Sequence, residues 1–272
     1  MGRKRFFSRS LALGFITALA IPVAAQAADR EIYAVDDQNN LIRFDKKSPE
    51  ELDRNIPITG QPGDVRFVGI DFQPATGDLY GAGTDSRIYR ISVNSGFALP
   101  VDGPFEPALN GTSFGFDFNP VPDRIRIVSD ADQNLRCNQN NGTCVQDGLL
   151  NRGTENPNIV GSAYTNSVFS RTAPSGTQLF AIDSETDTLY EQSPPNEGTL
   201  INPVPLDGLN VKRRTGFDIA GRRNGGLVTR AKDNGTRLYK VNIGTGNTKN
   251  RGRIGGKGDD PRPTVLGLAA EQ

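Results

Sequence analysis

The sequence predicts an all-β fold, because its apolar residues form short β-branched and aromatic runs and one short motif recurs along the chain. The motif is Gly, an apolar or small residue, Asp or Ala, then another apolar or small residue. Its copies begin at Gly69, Gly115, Gly161, Gly216 and Gly267, with spacings of 46, 46, 55 and 51 residues. Periods of this length are typical of four-stranded propeller blades. A β-sandwich or jelly roll is the alternative fold, but it would not explain the repeat.

Three further strands with period-two alternation follow each of the first four copies, and Gly, Asn, Asp or Pro separates them. They are predicted at 78–81, 87–91 and 98–101; at 124–128, 134–137 and 143–145; at 178–182, 188–191 and 199–201; and at 226–229, 237–241 and a basic stretch ending at Ile254.

The two ends of the chain supply the missing parts of one more blade. Residues 31–35, 41–44 and 54–58 form three strands without a preceding motif, and residues 265–270 form a lone motif strand. Pairing that last strand with the N-terminal three hides two sheet edges. The sequence therefore predicts a five-bladed β-propeller with four-stranded blades, closed by the C-terminal strand.

The first 27 residues predict a secretory signal peptide, which leaves residues 28–272 as a single propeller domain. Arg3, Lys4, Arg5 and Arg9 precede an apolar stretch, and Ala25-Gln26-Ala27 is a small-x-small cleavage site. The apolar stretch of about 15 residues is too short to span a bilayer. We expect an exported protein, periplasmic or extracellular, with no transmembrane segment after cleavage.

The zero net charge of the whole chain hides a strong asymmetry. Residues 28–206 hold 13 basic and 25 acidic side chains, whereas residues 207–262 hold 14 basic and 5 acidic ones. This basic region is either a solvated surface or a site for an anionic envelope polymer or surface glycan; nucleic acid is not expected. Its members are Lys212, Arg213, Arg214, Arg222, Arg223, Lys249, Arg251 and Arg253.

The rarer residue types limit the available chemistry. The chain has no histidine, which excludes a Ser-His-Asp triad and the usual zinc sites. Its two cysteines, Cys137 and Cys144, flank a loop containing Asn141-Gly142. An exported chain with an even cysteine count and a turn at this position predicts a disulfide across a hairpin.

Three aspartates occupy the same position of the motif and are expected to gather near the propeller axis. They are Asp71, Asp117 and Asp218, with Ala163 and Ala269 in the equivalent places. Such carboxylates can accept backbone N–H bonds or pair with a blade arginine, can hold Ca²⁺, or can act as the acid and base of a glycoside hydrolase. The structural role is favoured, because the same residue repeats. No cofactor is predicted beyond this optional Ca²⁺.

The strands after Gly115 carry the densest polar set. Arg124 and Arg126 alternate with Ile125 and Ile127, so both guanidinium groups project from one strand face towards another blade. A buried guanidinium needs a carboxylate partner, so an ion pair between blades is favoured, with Asp117 or Asp130 as the expected carboxylate. An anion or sugar site is the alternative. With the motif aspartates, the candidate ligand-binding residues are Asp71, Asp117, Asn119, Arg124, Arg126, Asn134, Arg136 and Asp218.

Five strings of the chain are distinctive: Gly115 to Pro120, Asp123 to Ser129, Gln133 to Arg136, Ala163 to Asn166 and Pro194 to Leu200. Together they resemble the bacterial domain of unknown function 4394 family, and the resemblance covers nearly all of the chain after residue 27. The resemblance implies an exported, propeller-type protein without an assigned activity, so it transfers no functional residue. Cys137 and Cys144 depart from the family pattern.

The favoured function is a non-catalytic exported module for binding or surface interaction. The alternative is a carbohydrate-active or lactone-hydrolysing enzyme that works through Asp71, Asp117 and Asp218. Binding is favoured because an active site normally combines unlike residues, whereas these three are copies of one position.

Overall fold

A computed structural model describes residues 1–2, 31–232 and 234–271, without the side chain of Arg222. Twenty β-strands form five antiparallel four-stranded sheets in this part of the chain. The leader predicted at residues 1–27 lies almost wholly outside the described residues.

The strands follow the chain blade by blade. Blade 1 contains β1 (Glu31–Asp36), β2 (Asn40–Asp45) and β3 (Arg54–Pro57); blade 2 contains β4 (Phe67–Phe72), β5 (Leu79–Gly83), β6 (Ile88–Ile91) and β7 (Ala98–Pro100). Blade 3 contains β8 (Phe114–Asn119), β9 (Arg124–Ser129), β10 (Asn134–Cys137) and β11 (Cys144–Gln146). Blade 4 contains β12 (Ile159–Tyr164), β13 (Leu179–Asp183), β14 (Thr188–Gln192) and β15 (Leu200–Pro205). Blade 5 contains β16 (Phe217–Ala220), β17 (Gly225–Lys232), β18 (Gly235–Val241) and β19 (Thr248–Arg253), and β20 (Val265–Ala270) returns to blade 1.

The ring closes as the sequence predicts. β20 pairs with β1 in the order β20-β1-β2-β3, so blade 1 is built from both ends of the chain. The innermost strands β4, β8, β12, β16 and β20 contact one another in turn around the axis. The all-β, five-bladed propeller is therefore confirmed.

The recurring glycine is required by the close approach of these inner strands. A Cβ atom at Gly69 would lie 2.5 Å from the Cβ of Phe116, and one at Gly115 would lie 2.3 Å from the backbone nitrogen of Ser162. Gly161, Gly216 and Gly267 face the next inner strand in the same way. Only glycine lets the strands approach this closely, which explains why the motif begins with it.

Apolar residues fill four of the five blade interfaces much better than the fifth. The clusters between blades 1 and 2, 2 and 3, 4 and 5, and 5 and 1 each contain ten or more buried apolar residues. The cluster between blades 3 and 4 contains six, including Val128, Ile159 and Tyr190. The interface between blades 3 and 4 therefore has the fewest buried apolar residues and can accommodate polar side chains.

The predicted hairpin disulfide is present. Cys137 on β10 lies opposite Cys144 on β11, and the two form a disulfide that ties the outer pair of strands of blade 3. Gly142 in the connecting loop has a φ of 66°, the left-handed conformation that glycine adopts at low cost.

Helical structure is minor in the described residues: two 3-10 turns occur, at Pro195–Glu197 and Gly221–Arg223. No described helix has both the length and the apolar character needed to cross a membrane.

Candidate functional site

The three motif aspartates meet on the propeller axis. Asp71 lies on β4, Asp117 on β8 and Asp218 on β16, and each is only 1% exposed. One carboxylate oxygen from each lies within 4.8 Å of the others. The motif period and the inward position of the first strand of each blade bring these side chains together.

Each aspartate links its own blade to the next one. The N–H of Phe118 on β8 donates to Asp71 Oδ2 at 2.8 Å, and the N–H of Tyr164 on β12 donates to Asp117 Oδ1 at 3.0 Å. The N–H of Ala270 on β20 donates to Asp218 Oδ2 at 2.5 Å. Ala163 and Ala269 offer no such acceptor, so the ring of carboxylates is incomplete at two of the five blades.

Burial sets the protonation of the cluster. Loss of water raises the pKa of Asp218 to about 6, although the N–H groups of Ala270 and Ile219 partly oppose it. Burial, together with repulsion from neighbouring aspartates of the cluster, raises the pKa of Asp71 and of Asp117 well above the ordinary range. The described residues form no salt bridge with these three carboxylates.

A second polar centre occupies the weakly apolar interface between blades 3 and 4. Arg126 on β9 is 2% exposed, and its Nη1 donates to Asn134 Oδ1 at 2.8 Å. Its Nη2 donates to Asn196 Oδ1 at 2.7 Å across the interface, and its Nε donates to the Tyr164 hydroxyl at 3.4 Å. The predicted direction of this side chain, towards another blade, agrees with these contacts.

The predicted carboxylate partner of Arg126 is wrong. Arg126 pairs with Asp147, at 2.7 Å, rather than with Asp117 or Asp130. Asp117 is directed to the axis by the N–H of Tyr164, and Asp130 accepts bonds from Thr112 and Ser113. The ion pair thus lies within blade 3, and the contacts between blades are hydrogen bonds.

Asp147 also binds a second arginine. Arg136 Nε and Nη2 donate to its two oxygens at 3.2 and 3.0 Å. Burial alone would raise the pKa of Asp147, but hydrogen bonds and charge from Arg136 and Arg126 outweigh it and hold this pKa below its usual value. Asp147 follows β11 in a loop and belongs to no motif, so nothing in the sequence marks it as the partner.

A cavity of about 550 Å³ opens above this network. Four of the eight predicted ligand residues line it, and the three aspartates lie on the axis instead. The eighth, Asn134, is buried and donates to the carbonyl oxygens of Gly148 and Pro195. Sequence reasoning missed Asn196 and the neighbouring prolines, which form the blade 4 side. The lining includes Asn119, Arg124, Arg126, Arg136, Tyr164, Pro194, Pro195 and Asn196.

The basic region does not form one continuous patch. Lys212 to Arg214 precede β16 and Arg223 follows it, so these cations lie at opposite ends of an inner strand; the side chain of Arg222 lies outside the described residues. Lys249, Arg251 and Arg253 lie on β19, the outer edge strand of blade 5. Arg214 also forms an ion pair with Asp37 of blade 1.

The repeated inner-strand motif and the polar set after it are matched by a family model. The model described as "Domain of unknown function (DUF4394)" covers residues 40–269. The chain belongs to this family. No curated protein matches this DUF4394 member significantly.

Among solved structures, a chain of a nidogen/laminin complex is 14% identical, with a TM-score of 0.50 over 89% of this chain and 98% of that one. A protein of unknown function from Bacteroides thetaiotaomicron is also 14% identical, with a TM-score of 0.49 over 80% of this chain and 56% of that one. At this identity the first likeness supports the propeller fold and nothing about function.

Proposed function

We propose that this DUF4394 protein is an exported, non-catalytic binding module that takes an anionic saccharide into the cavity between blades 3 and 4. The observation that carries the proposal is the composition of that cavity. Three guanidinium groups, from Arg124, Arg126 and Arg136, line it, and Asp147 is the carboxylate that pairs with two of them. The resulting positive surplus favours an anion.

The remaining lining suits a sugar that carries a carboxylate. Arginine forms paired hydrogen bonds with carboxylates, and the amides of Asn119 and Asn196 can bond hydroxyl groups. Pro122, Pro194 and Pro195 add apolar surface for the sugar ring. A volume of about 550 Å³ lies within the range of ordinary small-molecule sites.

Burial of the axial carboxylates supports binding rather than turnover. Asp71, Asp117 and Asp218 are each 1% exposed, so a sugar cannot reach them without separating the inner strands. All three are aspartates at the same position of the repeated motif, which also favours binding over catalysis. The enzyme alternative therefore lacks an accessible acid and base pair.

Export is supported by two independent features. Residues 1–27 have the charge and hydropathy order of a signal peptide. The disulfide between Cys137 and Cys144 is the kind of bond that persists outside the cytoplasm. Residues 28–272 would then be the mature domain.

Calorimetric titration with short galacturonate oligomers tests the proposal, and neutral maltose oligomers serve as the comparison ligand. Arg136→Gln removes a 42% exposed guanidinium from the cavity and leaves the pair between Arg126 and Asp147 in place. Arg90→Gln is the matched control, because it removes a similarly exposed, paired arginine from blade 2.

We expect the acidic oligomer to bind and the neutral one not to bind. Affinity should fall at least tenfold in Arg136→Gln and stay unchanged in Arg90→Gln. Equal binding of both ligands, no binding of either, or an equal loss in the two variants would overturn the proposal.

A further inference from the structure

The axial cluster contains buried acceptors without a donor. In Asp71 and Asp218, Oδ2 accepts a backbone N–H from the next blade, whereas Oδ1 has no hydrogen-bond partner in the described part of the chain. Both Oδ1 atoms are almost completely shielded from solvent. A buried carboxylate oxygen without a partner costs free energy, so its persistence calls for a group that compensates it.

The negative charge of the cluster also calls for a compensating group. Three carboxylates lie within 4.8 Å of one another, and the described lysines and arginines form no ion pair with them. Like charges at this distance repel strongly in a buried site. Protons or a cation must balance them.

We propose that Asp71, Asp117 and Asp218 bind one Ca²⁺ ion on the propeller axis. This metal site goes beyond the saccharide cavity, from which it is separate. Two positive charges would leave the cluster with one negative charge, and the ion would give the free Oδ1 atoms the partner that the protein does not supply.

The donor set and its spacing select the ion. The three donors are carboxylate oxygens, the chain has no histidine, and both cysteines are used in the disulfide, so a hard cation fits best. Three evenly spaced oxygens can all bind Ca²⁺ at about 2.6 Å when they lie within about 4.5 Å of one another, so oxygens within 4.8 Å are at most a few tenths of an ångström too far apart. Mg²⁺, with bonds of about 2.1 Å, needs three such oxygens within about 3.6 Å of one another.

The test compares chelator-treated protein with and without millimolar Ca²⁺ or Mg²⁺, by calorimetric titration and by thermal melting. We expect one Ca²⁺ per chain, a rise of several degrees in the melting temperature, and a much weaker response to Mg²⁺. Absence of both heat and a melting shift with Ca²⁺ in the unaltered protein overturns the proposal, whatever the variants do.

Asp71→Asn and Asp218→Asn locate the ion. Asparagine keeps an oxygen for the backbone N–H of the next blade but removes the charge, and far-ultraviolet circular dichroism verifies that each variant folds. We expect each to weaken Ca²⁺ binding at least tenfold. Asp36→Asn is the control, because Asp36 is also buried and accepts backbone N–H groups but lies on β1 away from the axis. Unchanged binding in Asp71→Asn and Asp218→Asn, or equal loss in Asp36→Asn, would place the ion elsewhere and refute the proposed site.

Discussion

Removing one charge from the axial cluster should stabilise the metal-free protein. Asp218→Asn deletes a buried carboxylate whose pKa is raised to about 6, chiefly by burial. The amide resembles the protonated acid and keeps an acceptor for the N–H of Ala270. In most buried ion pairs such a change destabilises the fold, because it leaves a partner charge unpaired. Here the described neighbours include no ion-pairing cation, so the sign reverses.

The magnitude follows from proton linkage. Asp218 has an ordinary pKa of 3.8 when the chain is unfolded and about 6 when it is folded. Between these values the folded state binds more protons than the unfolded state, so stability falls as the pH rises. A difference of about two pKa units corresponds to a loss of about 3 kcal/mol that is complete above about pH 7. Asp71 and Asp117 act in the same direction, since their pKa values are raised too.

Urea unfolding followed by circular dichroism, with chelator present, measures this effect between about pH 4 and pH 8. Asp218→Asn should exceed the unaltered protein in stability by up to about 3 kcal/mol at the alkaline end and approach it at the acidic end. Asp36→Asn should show no such gain. A variant that is less stable at about pH 8, or a difference independent of pH, would refute the electrostatic reasoning.

Three further predictions concern the blades. Arg126→Met removes a buried donor from Asp147, Asn134 and Asn196, but Asp147 keeps Arg136 and Asn134 keeps Gln192. The loss therefore falls mainly on Asn196 and should cost about 1–3 kcal/mol in urea unfolding, whereas Arg90→Met at an exposed pair should cost less than about 1 kcal/mol. Gly115→Ala places a methyl group 2.3 Å from a backbone atom of blade 4 and should destabilise by about 1–3 kcal/mol or more; Gly63→Ala, with nothing within 4 Å, should be nearly neutral, and equal effects would refute the close-approach explanation. Replacing Lys249, Arg251 and Arg253 together with Gln should lower the salt needed for elution from a polyanion column, and unchanged elution would remove β19 as a polymer-binding edge.

The sequence predicted the propeller because its determinants are local and repeated. Alternating apolar residues locate most of the strands, the glycine motif marks each inner strand, and β19, which has no apolar residue, was predicted only as a basic stretch. The ends of outer strands were less predictable: β15 extends to Pro205 and not only to residue 201. Its outer half is mostly exposed, so no apolar alternation marks where the extended backbone stops.

Contacts set by the tertiary path were not predictable in the same way. Asp147 binds Arg126 because the loop after β11 lies next to β10, where the Asp147 N–H donates to the carbonyl oxygen of Asn134. No local residue preference predicts this path of the chain. Lys212 to Arg214 and Arg223 are close in the sequence, yet β16 carries them to opposite ends of the inner strand. A cluster of charged residues in a sequence therefore does not predict that their side chains share one surface of the folded protein.

The two candidate sites meet at one residue, which determines how they can be tested separately. The backbone N–H of Tyr164 donates to Asp117 on the axis, while its hydroxyl accepts a hydrogen bond from Arg126 beside the cavity. A backbone displacement of Tyr164 would thus disturb both sites. A variant that loses both Ca²⁺ binding and saccharide binding would therefore not show which site it had altered. Tyr164→Phe retains the N–H and removes only the hydroxyl, and Asp218 and Arg136 each belong to one site alone. The proposed cation and saccharide sites are therefore physically adjacent but experimentally separable.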